Sequence, residues 1–378
     1  MEPSDHAGWL ELAVRRRAEG DGPGERRAIE RAVELASRPA TYDRRTVLFG
    51  ARRLMYLEAP ESAAAAWRTL LSAEPHHVES QNHLTELELY ELPADGRRRK
   101  LKLGVLGNCQ AYSLADFLRR LYPEVEIRAM GVGEVGGPDE AEATAKLYSG
   151  FDAVVSQPVG SRRGPLSTRA MTSSARRYVL YPSILFNGFH PDMVPSGGYP
   201  RGMHSRLALA GLAMGLSQER TAELFNAYIY GVLGYFDVAA KAERYLLEVA
   251  ERHNFGLEAW LPNWRAGGAF MHTPVHPSIR VISSIAERVA DALELGPPQA
   301  KADMTDMLEP LGVWPVYPEI ARRLGVSGDL TFKFPSTPPM GLEGMIERTS
   351  VFTVHLDREN LLANVGDVIE ILRREGVS

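Results

Sequence analysis

The sequence predicts an α/β fold built on a small, mostly parallel sheet with a large helical component, preceded by an all-α helical-repeat domain. Apolar strand-like runs alternate with helical patterns between residues 101 and 192, the signature of βαβ units. Polar clusters in that region fall at the carboxyl ends of the expected strands, where parallel sheets place their ligands. Residues 1 to 95 carry helix-period apolar residues, and two of their prolines, Pro39 and Pro75, lie 36 residues apart. That spacing is close to the ~34-residue helix-turn-helix unit of tetratricopeptide arrays.

In the N-terminal part, AIERAVELASRP ends at Pro39 and AAAAWRTLLSAEP ends at Pro75, and a second helical segment follows each. Ala65, Trp67, Leu70 and Pro75, then His83, Leu84 and Leu87, read as one unit of the repeat. Such a domain is a candidate surface for a protein partner. ELPADGRRRK, residues 91 to 100, is the expected boundary, because Pro93 and Gly96 break structure and four basic residues follow. Two domains are therefore expected, residues 1–96 and 97–378.

The second domain opens on LKLGVLGNCQAYSLADFLRRLY, residues 101 to 122. Leu101, Leu103, Val105 and Leu106 supply a buried strand, and Leu114, Phe117, Leu118 and Leu121 one face of a helix. Gly107, Asn108, Cys109 and Gln110 lie between them. Cys109 is the only cysteine in the chain. It falls where backbone N–H groups and the helix dipole favour an anion, so a thiolate nucleophile is expected there. A lone cysteine is more often a small core residue, but the polar flanks Asn108 and Gln110 argue against that here.

VEIRAM (125–130) reads as a second strand and residues 139 to 149 as a short acidic helix. FDAVVSQPVG gives a third strand that ends at Ser156, Gln157 and Pro158. RRYVLYPSILFNGFHPD gives a fourth, ending near Asn187, His190 and Asp192. From Arg206 onward the pattern is mostly helical: Leu224, Ala227, Tyr228 and Gly231 mark one helix, and Asp237 is placed as the cap of another. His272 and His276 come just before a helix that starts near Pro277. A short strand, SVFTVHLD, precedes a last helix from about Asp357.

Composition excludes several classes. A net charge of -5 argues against generic nucleic-acid binding. The longest apolar run, Leu207 to Leu216, is ten residues, short of the ~20 that span a bilayer. One cysteine allows no intrachain disulfide, and the N-terminal residues read as lacking a secretory leader, so a cytoplasmic setting is expected. Gly131, Gly133 and Gly136 spell a dinucleotide fingerprint, but Gly137 and Pro138 separate them from their helix. No metal site is expected, because Pro274 breaks the helix on which His272 and His276 would share a face.

The remaining chemistry is Cys109 with a histidine. His190 lies beside Asp192, which would orient its ring; His276 is the rival base. With the Gly107–Gln110 turn, Gln157-Pro158, His190-Pro191-Asp192 and His276-Pro277, the chain resembles the WcbI-type polysaccharide-biosynthesis acetyltransferases, which bind coenzyme A, over roughly residues 101 to 355. The resemblance implies a fold distantly like the Ser-Gly-Asn-His hydrolases, with cysteine at the serine position. It also implies acetyl transfer from acetyl-coenzyme A to a hydroxyl of a glycan or nucleotide-sugar acceptor in capsule or surface-glycan assembly. In that reading Cys109, His190, Asp192 and His276 are catalytic. Gly107, Asn108, Gln110, Gln157 and Asn187 line the cofactor, and Arg162, Arg163, Arg201 and Arg206 are candidates for its phosphates. The helical extension departs from the simple family pattern. An ester or thioester hydrolase using the same pair, and a non-catalytic helical scaffold, are the competing classes.

Overall fold

The computed structural model describes residues 3–19, 21–57, 59–74, 80, 84, 101–196, 202–298, 304–335, 337–353 and 358–377. The chain divides into two compact units, one of residues 1–101 with which 127–129 group, the other of the remaining residues from 102 onward.

In the first unit the described helices are α1 (His6–Ala18), α2 (Gly22–Ala36), α3 (Arg44–Tyr56) and α4 (Pro60–Ala73). Asp5, Asp21 and Asp43 cap the first three by accepting backbone N–H groups, the standard role of a short acidic side chain before a helix. Ile29, Val47, Leu54, Trp67 and Leu70 form the core between them. Arg53 reaches back to Glu25 with two hydrogen bonds, 2.7 and 2.9 Å, inside that core. Removing one partner of such a pair costs about 3–5 kcal/mol. The expected residues Trp67 and Leu70 are buried, whereas Ala65 is exposed. Pro75, His83, Leu87 and the linker 91–100 lie outside the described residues.

The sheet belongs to the second unit apart from residues 127–129 of one strand. Its strands are β1 (Lys102–Gly107), β2 (Glu126–Gly131), β3 (Ala153–Ser156) and β4 (Tyr178–Leu180), in the order β2-β1-β3-β4. β1 runs parallel to β3 and β3 parallel to β4, with Leu103 opposite Ala153 and Val154 opposite Tyr178. Five of the six β1 residues are buried, as expected of a parallel strand covered on both faces. The connections carry α5 (Cys109–Leu121), α6 (Pro138–Ser149) and α7 (Thr168–Ser174). The expected apolar stripe of α5 is buried, each large side chain contributing about 1.5–3 kcal/mol.

The fourth strand is shorter than expected. Tyr181 N–H makes the last ladder bond, to Ser156 C=O at 2.9 Å, and Pro182 has no N–H to continue it. Residues 181–190 therefore run as a loop. A hairpin of β5 (Met193–Ser196) and β6 (Gly202–Ser205) follows, then α8 (Arg206–Ala213), α9 (Gln218–Ala222), α10 (Ala227–Val232), α11 (Val238–Arg252) and α12 (Leu261–Ala266). Asp237 sits at the N-terminus of α11 but makes no side-chain cap bond. A second hairpin, β7 (Met271–Thr273) and β8 (His276–Pro277), leads into α13 (Ile279–Leu293), which packs on α5. The chain ends with α14 (Pro318–Leu324), α15 (Leu342–Thr353) and α16 (Arg358–Arg374). The strand expected at SVFTVHLD is not formed: residues 350–353 complete α15, and 354–357 lie outside the described residues. No helix among the described residues is long and apolar enough to cross a membrane.

Candidate functional site

The turn between β1 and α5 is built by buried amides. Asn108 caps the helix, its Oδ1 accepting the Gln110 N–H at 2.9 Å, while its own N–H donates to Gln157 Oε1 at 2.9 Å. Gly107 is a glycine because a Cβ there would stand 2.5 Å from Tyr181 Oη and 2.7 Å from Gln157 Oε1. Gln110 is fully buried, and its carboxamide is used on both sides. Nε2 donates to Ile184 C=O at 2.8 Å and Val275 C=O at 2.9 Å, and Oε1 accepts from Ile184 N–H at 3.0 Å and Gln157 Nε2 at 3.2 Å. Gln110 thereby ties three segments together: the start of α5, the 181–190 loop and the β7–β8 hairpin. Cys109 precedes Gln110 and His276 follows Val275, so that bond joins the turn of the β7–β8 hairpin to the cysteine turn. Phe186, Phe189 and Phe270, with ring centroids 4.9–5.1 Å apart, hold the loop against the chain entering β7.

Cys109 is half-buried, and burial pushes its thiol up to about 11. The N–H groups of Cys109 and Gln110 at the helix start pull the other way, as expected, and the nearby charge of Glu134 adds to the rise. Burial outweighs the helix start, so the resting group is a thiol and not the thiolate the sequence suggested.

His272 sits within electrostatic reach of both His190 and His276. His272 Nε2 donates to Asp306 Oδ2, 2.7 Å away. Asp306 also receives the N–H groups of Ile279, Leu308 and Glu309 at 2.7, 2.9 and 3.2 Å. Burial works to raise the Asp306 carboxyl, but His272 and the N–H groups hold it below the ordinary 3.8. Burial, helped by the charge of His272 and opposed by Asp306, lowers His276 to about 4. His190 is 1% exposed and burial takes it to about 3; neither ring nitrogen completes a hydrogen bond, and the Trp314 backbone facing the ring only partly offsets the burial.

The expected His190–Asp192 pair does not form. Asp192 Oδ1 accepts Leu207 N–H at 2.9 Å and Tyr235 Oη at 2.8 Å, and Oδ2 accepts Tyr317 Oη at 2.7 Å and the Ser205 hydroxyl. Four donors from elsewhere fill both oxygens, so none remains for the imidazole. Arg206 is likewise spent, gripping Asp367 through two bonds of 2.6 and 2.7 Å. Arg162 and Arg163 are exposed in the segment after β3, and Asn187 is exposed in the 181–190 loop. Arg201 lies outside the described residues. The glycines 131, 133 and 136 do not start a helix: a 3-10 turn covers 132–134, and Glu134 lies against Gly131, where a pyrophosphate would meet a carboxylate. Asp306 and Glu134 escaped the sequence reading, since neither has a motif; Tyr112, which donates to Glu134 at 2.6 Å, lies one helical turn beyond Cys109 and was the available hint. No group of three or more metal-ligating side chains is found among the described residues.

A family model described as polysaccharide biosynthesis enzyme WcbI matches residues 102–298. A solved structure described as WcbI, a polysaccharide biosynthesis enzyme, in its native form without a disulfide bond between coenzyme A and a cysteine, is similar with a TM-score of 0.58 and 16% sequence identity, covering 73% of this chain and 96% of its own. At that identity the likeness establishes the α/β fold. No curated protein matches the chain in sequence.

Proposed function

The chain belongs to the WcbI polysaccharide-biosynthesis enzyme family, and from that premise we propose that it moves an acetyl group from acetyl-coenzyme A to a hydroxyl of a glycan or nucleotide-sugar acceptor, with Cys109 carrying the group between them. The observation that carries the reading is the placement of Cys109: the first residue of α5, half-buried, at a helix start whose N–H groups favour its thiolate, with a histidine hairpin bonded to the next residue, Gln110. The description of the similar structure, which names coenzyme A together with a cysteine, supports the choice of donor.

The donor set suits the ligand. Arg162 and Arg163 have no ion-pair partner among the described residues and follow the carboxyl end of β3, where the phosphates of a ligand lying over the sheet edge would need cations. Cys109 attacks the thioester carbonyl as its proton leaves to a neighbouring imidazole, and the coenzyme thiolate departs with that proton. The acceptor hydroxyl then attacks the acyl-cysteine, giving its proton to the same imidazole and, through it, back to the Cys109 sulfur. Because the thiol is held near 11, a base is indispensable to the first step.

Binding and turnover of acetyl-coenzyme A test the reading. Wild-type protein is expected to bind coenzyme A and to consume acetyl-coenzyme A faster when a sugar acceptor is present, with Cys109→Ala losing about 10²-fold or more of the rate. Absence of binding at millimolar ligand sinks the transferase reading. Equal consumption with and without acceptor turns it into a thioester hydrolase.

A further inference from the structure

The family and the cysteine leave the base unassigned. His190 is shut away at 1% exposure, and its intended carboxylate is occupied by other donors. His276 is half-buried, and its Nδ1 is buried without a hydrogen-bond partner, so nothing fixes the tautomer of that ring. His272 differs from both. Its Nε2 meets a carboxylate that is itself immobilised by three backbone N–H groups, one of them from the first residue of α13. Such an arrangement sets the tautomer: the proton on Nε2 faces Asp306, and the lone pair is on Nδ1. The same carboxylate stabilises an imidazolium when it forms. The ring belongs to β7, in the hairpin whose turn residue Val275 is bonded to Gln110.

We propose that His272, oriented by Asp306, is the imidazole that takes the proton in the acyl transfer, with Asp306 as its positioning residue. The assignment rests on the transfer reading above. In the first step the Cys109 thiol proton passes to Nδ1 of His272, the sulfur–carbon bond of the acyl-enzyme forms and the coenzyme sulfur–carbon bond breaks; the departing thiolate takes the proton from Nδ1. In the second step the acceptor oxygen bonds to the acyl carbon, its proton passes to Nδ1, and the Cys109 sulfur leaves and recovers that proton. The titratable groups facing His272 are His190, His276 and Asp306, and the first two stay uncharged near neutrality. They surround the reacting imidazole without adding a competing positive charge.

The test compares His272→Gln, His276→Gln and Asp306→Asn in the full chain, with coenzyme A binding and thermal unfolding measured alongside. His272→Gln keeps a donor for Asp306 and is expected to bind coenzyme A like wild type while kcat falls by about 10²-fold or more. His276→Gln is expected to stay within about fivefold of wild-type kcat. Asp306→Asn is expected to lower kcat and to move the acidic limb of the kcat–pH profile, which a purely structural loss would leave in place. A His272→Gln protein that keeps wild-type kcat, a His276→Gln protein that suffers the larger loss, or an unmoved acidic limb in Asp306→Asn overturns the assignment. A wild-type protein that binds no coenzyme A and consumes no acetyl-coenzyme A overturns the transfer reading instead, and the assignment with it.

Discussion

Two buried aspartates in this molecule do opposite jobs. Asp192 follows a histidine in the chain by two residues yet ignores it; its four hydrogen bonds join the β6–α8 junction to Tyr235 and Tyr317, 43 and 125 residues away. Asp306 is 34 residues from His272 and takes hold of it. Burial also sets them apart. It raises the Asp192 carboxyl even against four donors, whereas the donors around Asp306 keep that group lowered. Closeness in sequence between a histidine and a carboxylate is thus a weak guide to a working pair, because both oxygens of the carboxylate can be claimed from farther away.

The larger structural load falls on Asp192. Asp192→Ala leaves two tyrosine hydroxyls, a serine hydroxyl and a backbone N–H buried without an acceptor, and is expected to cost about 3–5 kcal/mol of unfolding free energy in denaturant titration. The conservative Asp306→Asn should cost much less in the same titration. Equal losses would erase the distinction between a structural and a positioning carboxylate.

His190 makes the fold sensitive to acid. The folded value, about 3, lies below the ordinary 6.5, so the unfolded chain binds a proton first as the pH drops. Stability from the neutral ring is whole above 6.5 and is lost progressively between about 6.5 and 3, by on the order of 5 kcal/mol in all. His190→Phe should flatten the pH dependence of unfolding free energy across that window; an unchanged slope contradicts the burial read from the structure.

A smaller effect is expected at Gln110. Gln110→Ala removes the bonds to Ile184, Val275 and Gln157, a loss of about 1–3 kcal/mol in unfolding. Because that side chain fastens the histidine hairpin to the cysteine turn, transfer activity should fall by more than the stability loss explains. Activity that tracks only the folded fraction would separate the clamp from the chemistry.

Much of this was legible in the amino-acid pattern. The strand, turn and helix around Cys109 announce themselves by period and capping, and β2, α6 and β3 follow within a residue or two of expectation. β4 was overextended because apolar residues 181–189 pack as a loop core of aromatics, which looks like a strand when only hydrophobicity is read. The tail of α15 reads as a strand because Phe352, Val354 and Leu356 alternate with Thr353, His355 and Asp357, too few positions to define a period. At the site, Cys109 and the importance of the Asn108 and Gln110 flanks were readable from the turn. The identity of the carboxylate was not: Asp306 stands in an irregular segment, and only tertiary folding brings it to His272.

The most direct measurement is intact-mass analysis of the protein after a single turnover with acetyl-coenzyme A in the absence of acceptor. The account predicts one acetyl group on the wild-type chain, none on Cys109→Ala, and discharge of the acetyl group when a sugar acceptor is added. An acetyl adduct that survives Cys109→Ala, or transfer to acceptor that proceeds at the wild-type rate without the cysteine, would contradict it.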